Sequence, residues 1–182
     1  DALIAAHAQW DAGDSRYLGE WLMHAAQLPG FSRLVGERLR RAPAEVMTLR
    51  AEQAGAVNTL VFKDDEVLGD NTDGVGLLRD IMINLRYPIQ GKRVLLLGAG
   101  GASRGVVGPL LGEHPESLTI ANRTVPRARS LAEHFASIGP VTGCGYDELA
   151  GRVFDIVINA TSASLSGTMP PLPAGIFAPG SL

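Results

Sequence analysis

Hydrophobic and polar positions divide the chain into two regimes. After Gly91, short apolar runs at residues 94–97, 118–121 and 154–158, with a weaker one near 141, alternate with helix-like stretches over 102–112, 126–137 and 146–150. The first run lies between Gly91 and Gly101, and an apolar run so short fits a strand buried on both faces. Strands alternating with helices of this length imply right-handed βαβ crossovers and a parallel sheet covered on both faces. The pattern predicts a Rossmann-like α/β domain over residues 88–182.

Residues 1–87 read differently. Val57 to Phe62 is β-rich, Asp64-Asp65 supplies a turn, and Val67-Leu68 resumes the apolar run, which predicts a hairpin. Thr72 or Asp73 then opens a helix whose apolar positions Leu78, Ile81, Met82 and Leu85 follow helical spacing and which ends before Pro88. Residues 1–54 are rich in Ala, Leu and Arg, and Gly13, Pro29-Gly30 and Pro43 punctuate them, so three or four helices are expected. Leu18, Trp21, Leu22 and Ala25 recur at helical spacing there, and Leu34 and Leu39 with Arg33, Arg38, Arg40 and Arg41 form an amphipathic pattern with a solvated basic face. Residues 1–87 are therefore read as a separate, mainly helical N-terminal domain.

Composition narrows the function classes. The 182 residues are 46% apolar and carry a net charge of −3, so nothing electrostatic points to nucleic acid. No run of 18 or more apolar residues and no signal-peptide pattern occurs in the sequence, so no membrane association is expected. Cys144 is the only cysteine, which excludes an internal disulfide and suits a reducing, cytoplasmic compartment. His7, His24, His114 and His134 have no neighbour at metal-ligand spacing, and no metal site is expected.

The candidate chemistry lies at the ends of the predicted strands, where open α/β sheets bind ligands. Gly98, Ala99, Gly100, Gly101 and Ala102 form a glycine-rich turn opening a helix, a cradle for a pyrophosphate, although Ser103 replaces the third glycine of G-x-G-x-x-G. Asn122-Arg123-Thr124 comes about 20 residues on, where an Asp or Glu would select a ribose 2′-OH. Instead there are Arg123 and Arg127, whose guanidinium groups suit a 2′-phosphate, so NADP(H) is expected over NAD(H). The third strand end, residues 159–164 with Thr161, has small side chains that would let a nicotinamide lie close to the backbone.

Five motifs occur in order: AGAVNT at 54–59, GDNTDG at 69–74, GAGGASRG at 98–105, NRT-x-x-R at 122–127 and INATSAS at 158–164. Together they closely resemble bacterial shikimate dehydrogenase, from about Met47 to Leu182. The resemblance implies NADP-dependent reduction of 3-dehydroshikimate to shikimate in aromatic amino-acid biosynthesis, with a small-molecule substrate and NADP as partners. It implies that Asn58 and Asp73 hold substrate hydroxyls and that Asp73 takes part in proton transfer. Either residue also has a purely structural reading, as a turn or helix-start residue.

The chain departs from the family pattern in two places. Family members carry a catalytic Lys in a segment resembling N-V-T-x-P-x-K and a Ser-x-Ser motif near the start. Here the corresponding separation falls near Glu37, and neither Lys63 nor Lys92 is a substitute, so the substrate-side domain that the resemblance implies over residues 1–87 is expected to be incomplete or divergent. The resemblance also implies a further cofactor strand and a closing helix beyond Leu182, so the domain over 88–182 is expected to be shortened. A noncatalytic NADP(H)-binding module and a quinate-type dehydrogenase remain open alternatives.

Overall fold

A computed structural model describes residues 4–5, 46–63, 66–161 and 170–182. The compact units divide between Asp73 and Gly74. The expected helices over residues 6–45, Glu37, the Asp64-Asp65 turn and residues 162–164 of the last motif lie outside the described residues.

In the first unit, β1 (Ile4–Ala5), β2 (Val46–Met47), β3 (Thr59–Lys63) and β4 (Glu66–Asp70) form a sheet in the order β1-β3-β4-β2. The β3–β4 pair is the expected antiparallel hairpin, running in register from Thr59↔Asp70 to Lys63↔Glu66. Strands were not expected across residues 1–54, and the described residues there add two to the expected helices. Only α1 (Leu49–Ala54) appears among the described residues of that stretch, while β1 pairs antiparallel with β3 and β2 runs parallel to β4. Two-residue strands carry no readable periodicity, and pairing to an existing sheet edge creates them. Thr48 caps α1 by accepting the Ala51 N–H, and Gly55 at φ 58° ends it in the left-handed conformation that favours glycine.

In the second unit, β5 (Arg93–Leu97), β6 (Ser117–Ala121), β7 (Val141–Cys144) and β8 (Ile156–Asn159) form a fully parallel sheet in the order β7-β6-β5-β8. Helices α3 (Gly101–Gly112) and α4 (Val125–Phe135) make the crossovers. The chain runs outward from β5 to β6 to β7, then returns to place β8 on the other side of β5, so β5 flanks the topological switch point. Alternation along β5 explains its unbroken apolar run. Val94 and Leu96 join one core with Val106, Leu110, Leu131 and Phe135 of the two helices, while Leu95 and Leu97 join a second with Leu149, Phe154 and Ile176. Each fully buried Leu contributes roughly 1.5–3 kcal/mol.

The sheet is covered on both faces, as expected, but among the described residues α-helices cover one face only. The helix expected over 146–150 is a single 3-10 turn, Asp147–Leu149, stopped by Gly151 at φ 77°. Buried Leu149 pins that turn to the second core. Residues 176–182 run beside β8. Phe154 N–H donates to Ile176 O at 2.8 Å, Ala178 N–H to Phe154 O at 2.9 Å and Val157 N–H to Leu182 O at 2.9 Å.

Helix α2 (Asp73–Arg79) begins at the expected place and continues into a π-helical turn, Asp80–Asn84. The π-turn alters the expected apolar stripe, because an extra residue in a turn rotates every later side chain about the helix axis. Ile81 stays buried at 3% exposure, whereas Met82 and Leu85 are 39% and 53% exposed. Gly74 opens the second unit, and the α2 backbone there approaches α3 closely: a Cβ on Gly74 would stand 2.3 Å from Pro109 Cγ and 2.5 Å from Gly105 O. Among the described residues no helix is long and apolar enough to cross a membrane.

The amino ends of β5 and β8 are held level by one ion pair. Asp155 Oδ2 accepts the Arg93 backbone N–H and Nε, each at 2.9 Å, and Oδ1 accepts the other arm of the guanidinium at 2.9 Å. These hydrogen bonds lower the Asp155 carboxyl from 3.8 to about 2. A depressed folded-state value stabilises the fold above the ordinary value, and the contribution is lost as pH falls through the folded one. Denaturant titrations should therefore show stability falling between pH 3.8 and about 2. Asp155→Asn should be less stable than the parent at neutral pH, with a flatter dependence across that acid interval.

Candidate functional site

The second unit brings the expected cofactor residues to one rim. Leu97 is level with Ala121 on one side and with Asn159 on the other, and Ala121 is level with Cys144. The residues just past these strand ends are therefore neighbours. Gly98 N–H donates to Ala121 O at 2.8 Å, Ala160 N–H to Leu97 O at 2.9 Å and Asn122 N–H to Cys144 O at 3.1 Å.

Gly98 is required twice at this rim. Its φ of 108° is costly for any residue with a Cβ, and a Cβ there would stand 3.0 Å from Ala160 O. Gly100 differs, since nothing lies within 4 Å of the position its Cβ would take. It precedes α3, whose first turn has no acidic residue and no side-chain cap. Backbone N–H groups at such a start point outward with the positive end of the helix dipole, which fits a pyrophosphate. Ser103, in the third glycine position, is fully buried, and its hydroxyl has no hydrogen-bond partner among the described residues. A small side chain is what the close helix–strand packing of this position admits.

Arg123, Thr124 and Arg127 are exposed at the start of α4. Asn122 Nδ2 donates to Thr124 O at 3.0 Å and shapes the turn. No carboxylate of the described residues forms a salt bridge with Arg123 or Arg127, whereas Arg129 nearby reaches Glu148 at 3.5 Å. Two guanidinium groups thus stand available where a ribose 2′-phosphate would lie. Burial raises the neighbouring Tyr146 phenol above its ordinary value, with Arg123 opposing that shift. At the third strand end, Thr161 Oγ1 and N–H both donate to Asn159 Oδ1, at 2.7 and 3.0 Å. Cys144 is buried, which pushes its thiol up and makes it a packing residue. Among the described residues no cluster of three metal-ligating side chains occurs.

The first unit brings Asn58 and Asp73 into one hydrogen-bonded loop. Asn58 is buried at 8% exposure, and its Oδ1 accepts Thr72 N–H at 3.0 Å, Thr59 Oγ1 at 2.9 Å and Thr72 Oγ1 at 3.2 Å. A backbone N–H can only donate, so the amide orientation is fixed and its oxygen is occupied. Asn58 is therefore left with its NH₂ as the group able to reach a ligand, as a donor.

Asp73 opens α2, with its own N–H donated to Asn71 Oδ1 at 3.2 Å. No side chain of the described residues binds its carboxylate, which leaves an acceptor beside the Asn58 donor loop. Asn71, Thr59, Thr72 and Asp70 lie within the two sequence motifs but were given no role in the site, yet each fixes this loop. Asn71 is 3% exposed and donates from Nδ2 to Ala56 O at 3.2 Å. Burial pushes the Asp70 carboxyl up, but hydrogen bonds from Arg50 and Thr48 and the Arg50 charge outweigh it, leaving the group below its ordinary value.

Lys92 belongs to the amino edge of the second unit's sheet. It precedes β5 at the end opposite Gly98, roughly 16 Å of strand away, with its ammonium 5.4 Å from the centre of the Tyr87 ring. The Lys63 side chain lies outside the described residues.

The family model for shikimate/quinate 5-dehydrogenase matches residues 82–166. A shikimate dehydrogenase (NADP(+)) of Chromobacterium violaceum is 63% identical over 139 residues, which are 76% of this chain and 51% of that protein. The shikimate dehydrogenase (NADP(+)) of Aromatoleum aromaticum is 47% identical over 98% of this chain and 70% of its own length. The crystal structure of shikimate 5-dehydrogenase from Thermus thermophilus in complex with shikimate is similar at a TM-score of 0.62 and 28% identity, covering 90% of this chain and 60% of that one. The chain spans about half the length of most of the curated relatives it matches.

Gly98→Ala should destabilise the second unit by about 1–3 kcal/mol through left-handed strain. It should also weaken NADPH binding, because the Cβ displaces the β8 end. Thermal melts and NADPH fluorescence titration check both.

Proposed function

The chain belongs to the shikimate/quinate dehydrogenase family, and from that membership we propose that it acts as an NADP-dependent shikimate dehydrogenase reducing 3-dehydroshikimate to shikimate. The observation that carries the proposal is the level rim of β5, β6 and β8. It gathers the Gly98–Ala102 turn, Asn122–Arg127 and Asn159–Thr161 from positions more than 60 residues apart in sequence.

The residues present fit NADP. Gly98 and Gly100 leave the room that a Cβ would fill, the start of α3 offers N–H groups to the pyrophosphate, and Arg123 and Arg127 offer charge-assisted bonds to a 2′-phosphate. The bound cofactor supplies the hydride. Asn58 donates from its NH₂ to a ring hydroxyl oxygen, and Asp73 accepts from a hydroxyl hydrogen. As the ketone becomes an alcohol, negative charge develops on its oxygen, and a proton taken up from solvent by the Asp73 carboxylate passes to that oxygen, returning Asp73 to its ionised form. The buried network around Asn58 keeps these groups in place without reorganisation during the reaction. A cytoplasmic location accords with the single, buried cysteine.

The test is shikimate-dependent reduction of NADP⁺, followed by NADPH absorbance in the intact protein, with quinate as the competing substrate. NADPH binding without turnover would sink the proposal, and faster turnover of quinate would reassign the substrate. Asp73→Asn should lower kcat roughly 100-fold or more, in the range of a lost general acid–base group. Arg123→Ala with Arg127→Ala should raise the KM for NADP⁺ roughly 10- to 100-fold, the weight of one or two charge-assisted hydrogen bonds. The KM for NAD⁺ should stay nearly unchanged.

A further inference from the structure

We infer that Arg50 and Asp70 are a positioning pair for the substrate loop, holding residues 71–73 in the conformation that presents Asp73 and the Asn58 amide. The inference rests on the assignment of Asn58 and Asp73 to substrate. Neither member of the pair is given a substrate contact.

The case begins with the loop's backbone. Between the end of β4 at Asp70 and the start of α2 at Asp73, the chain leaves the hairpin ladder and has no strand partner. Its three successive N–H groups are all taken by side-chain oxygens. Asn71 N–H donates to Asp70 Oδ1 at 2.7 Å, Thr72 N–H to Asn58 Oδ1 at 3.0 Å and Asp73 N–H to Asn71 Oδ1 at 3.2 Å. A loop fixed in this way is only as well placed as its three acceptors. Asn58 is held by the hydroxyls of Thr59 and Thr72, and Asn71 by the Ala56 carbonyl.

The remaining acceptor, Asp70, is oriented from α1. Its Oδ1 accepts Thr48 Oγ1 at 2.6 Å and Arg50 Nε at 2.6 Å, while the other arm of the guanidinium binds Oδ2. The planar fork fixes both the position and the tilt of the carboxylate, which a point charge would not. Asp70 is also tied through its backbone, because its carbonyl accepts the Asn58 N–H at 3.0 Å. One residue therefore links the loop that carries Asp73 to Asn58, just before β3. The Arg50 side chain is 44% exposed, against 10% for Asp70, so the pair orients the loop more than it stabilises the fold.

The experiment compares Asp70→Asn, Arg50→Met and Arg50→Lys in the intact protein, well below their melting temperatures. Positioning predicts that the KM for shikimate rises roughly tenfold in Asp70→Asn and Arg50→Met, the weight of a lost charge-assisted hydrogen bond. The KM for NADP⁺ should not change. Arg50→Lys keeps the charge without the fork and should recover part of the loss. The double variant Arg50→Met/Asp70→Asn should be no worse than Asp70→Asn alone, because both remove one link.

Amide hydrogen exchange supplies a readout independent of substrate. Thr72 and Asp73 should exchange faster in Asp70→Asn, while Val61 and Leu68 in the hairpin should not. Unchanged exchange at 72 and 73, or variants with lower melting temperatures but parental KM for both substrates, would overturn the inference. Asn58→Ala and Asp73→Asn are measured beside them. If these leave shikimate binding unaltered while Asp70→Asn still frees the amides, the substrate assignment fails and the pair's hold on the loop stands.

Discussion

The rest of the second unit depends on the parallel register of β5 with its two neighbours. Because Leu97 is level with both Ala121 and Asn159, the chain must turn at Gly98 in the space left by Ala160, and only a residue without a Cβ makes that turn at φ 108°. The two cores fix the register from either side. A slip of one residue would move Leu95 and Leu97 to the helical face and Val94 and Leu96 to the other, exchanging every partner. The ion pair between Arg93 and Asp155 fixes the same register from the opposite end of the strands. A residue at the amino edge thereby helps set the geometry of a loop at the carboxyl edge.

The first unit solves a different problem. Occupying Asn58 Oδ1 with three protein donors leaves a single polarity at that amide. A ligand that presents a hydrogen there instead of a lone pair would leave the buried NH₂ unpaired, at a cost of about 1–3 kcal/mol. An internal hydrogen-bond pattern, rather than size, sets the polarity that this amide presents.

Much of the second unit was legible in the sequence because burial on both faces writes itself as continuous apolar runs. Residues 94–97 and 118–121 lie within β5 and β6, and the glycines after β5 announce their own backbone geometry. Less was legible where structure comes from contacts distant in sequence. The bonds from Thr48 and Arg50 to Asp70 span 22 and 20 residues, and that from Thr72 to Asn58 spans 14, so no local pattern records them. The π-turn at Asp80–Asn84 defeated a helical stripe that assumed a constant period. Residues 176–182 beside β8 left no signal either, because two or three backbone hydrogen bonds need no particular side chains. The short strands β1 and β2 escaped for the same reason.

The two units therefore differ in what they tolerate. At the cofactor rim the geometry is carried by backbone, and the sensitive changes are those that add atoms: a Cβ at Gly98 meets a carbonyl. In the loop of residues 70–73 the geometry is carried by side-chain oxygens, and the sensitive changes are those that keep size and alter chemistry. Asp70 and Asn71 are nearly isosteric, yet exchanging their roles would bring an amide NH₂ to the guanidinium of Arg50, where a carboxylate is needed. Steric volume guards one half of the chemistry and hydrogen-bond polarity the other, so a substitution that is conservative by size can be harmless at the rim and damaging in the loop.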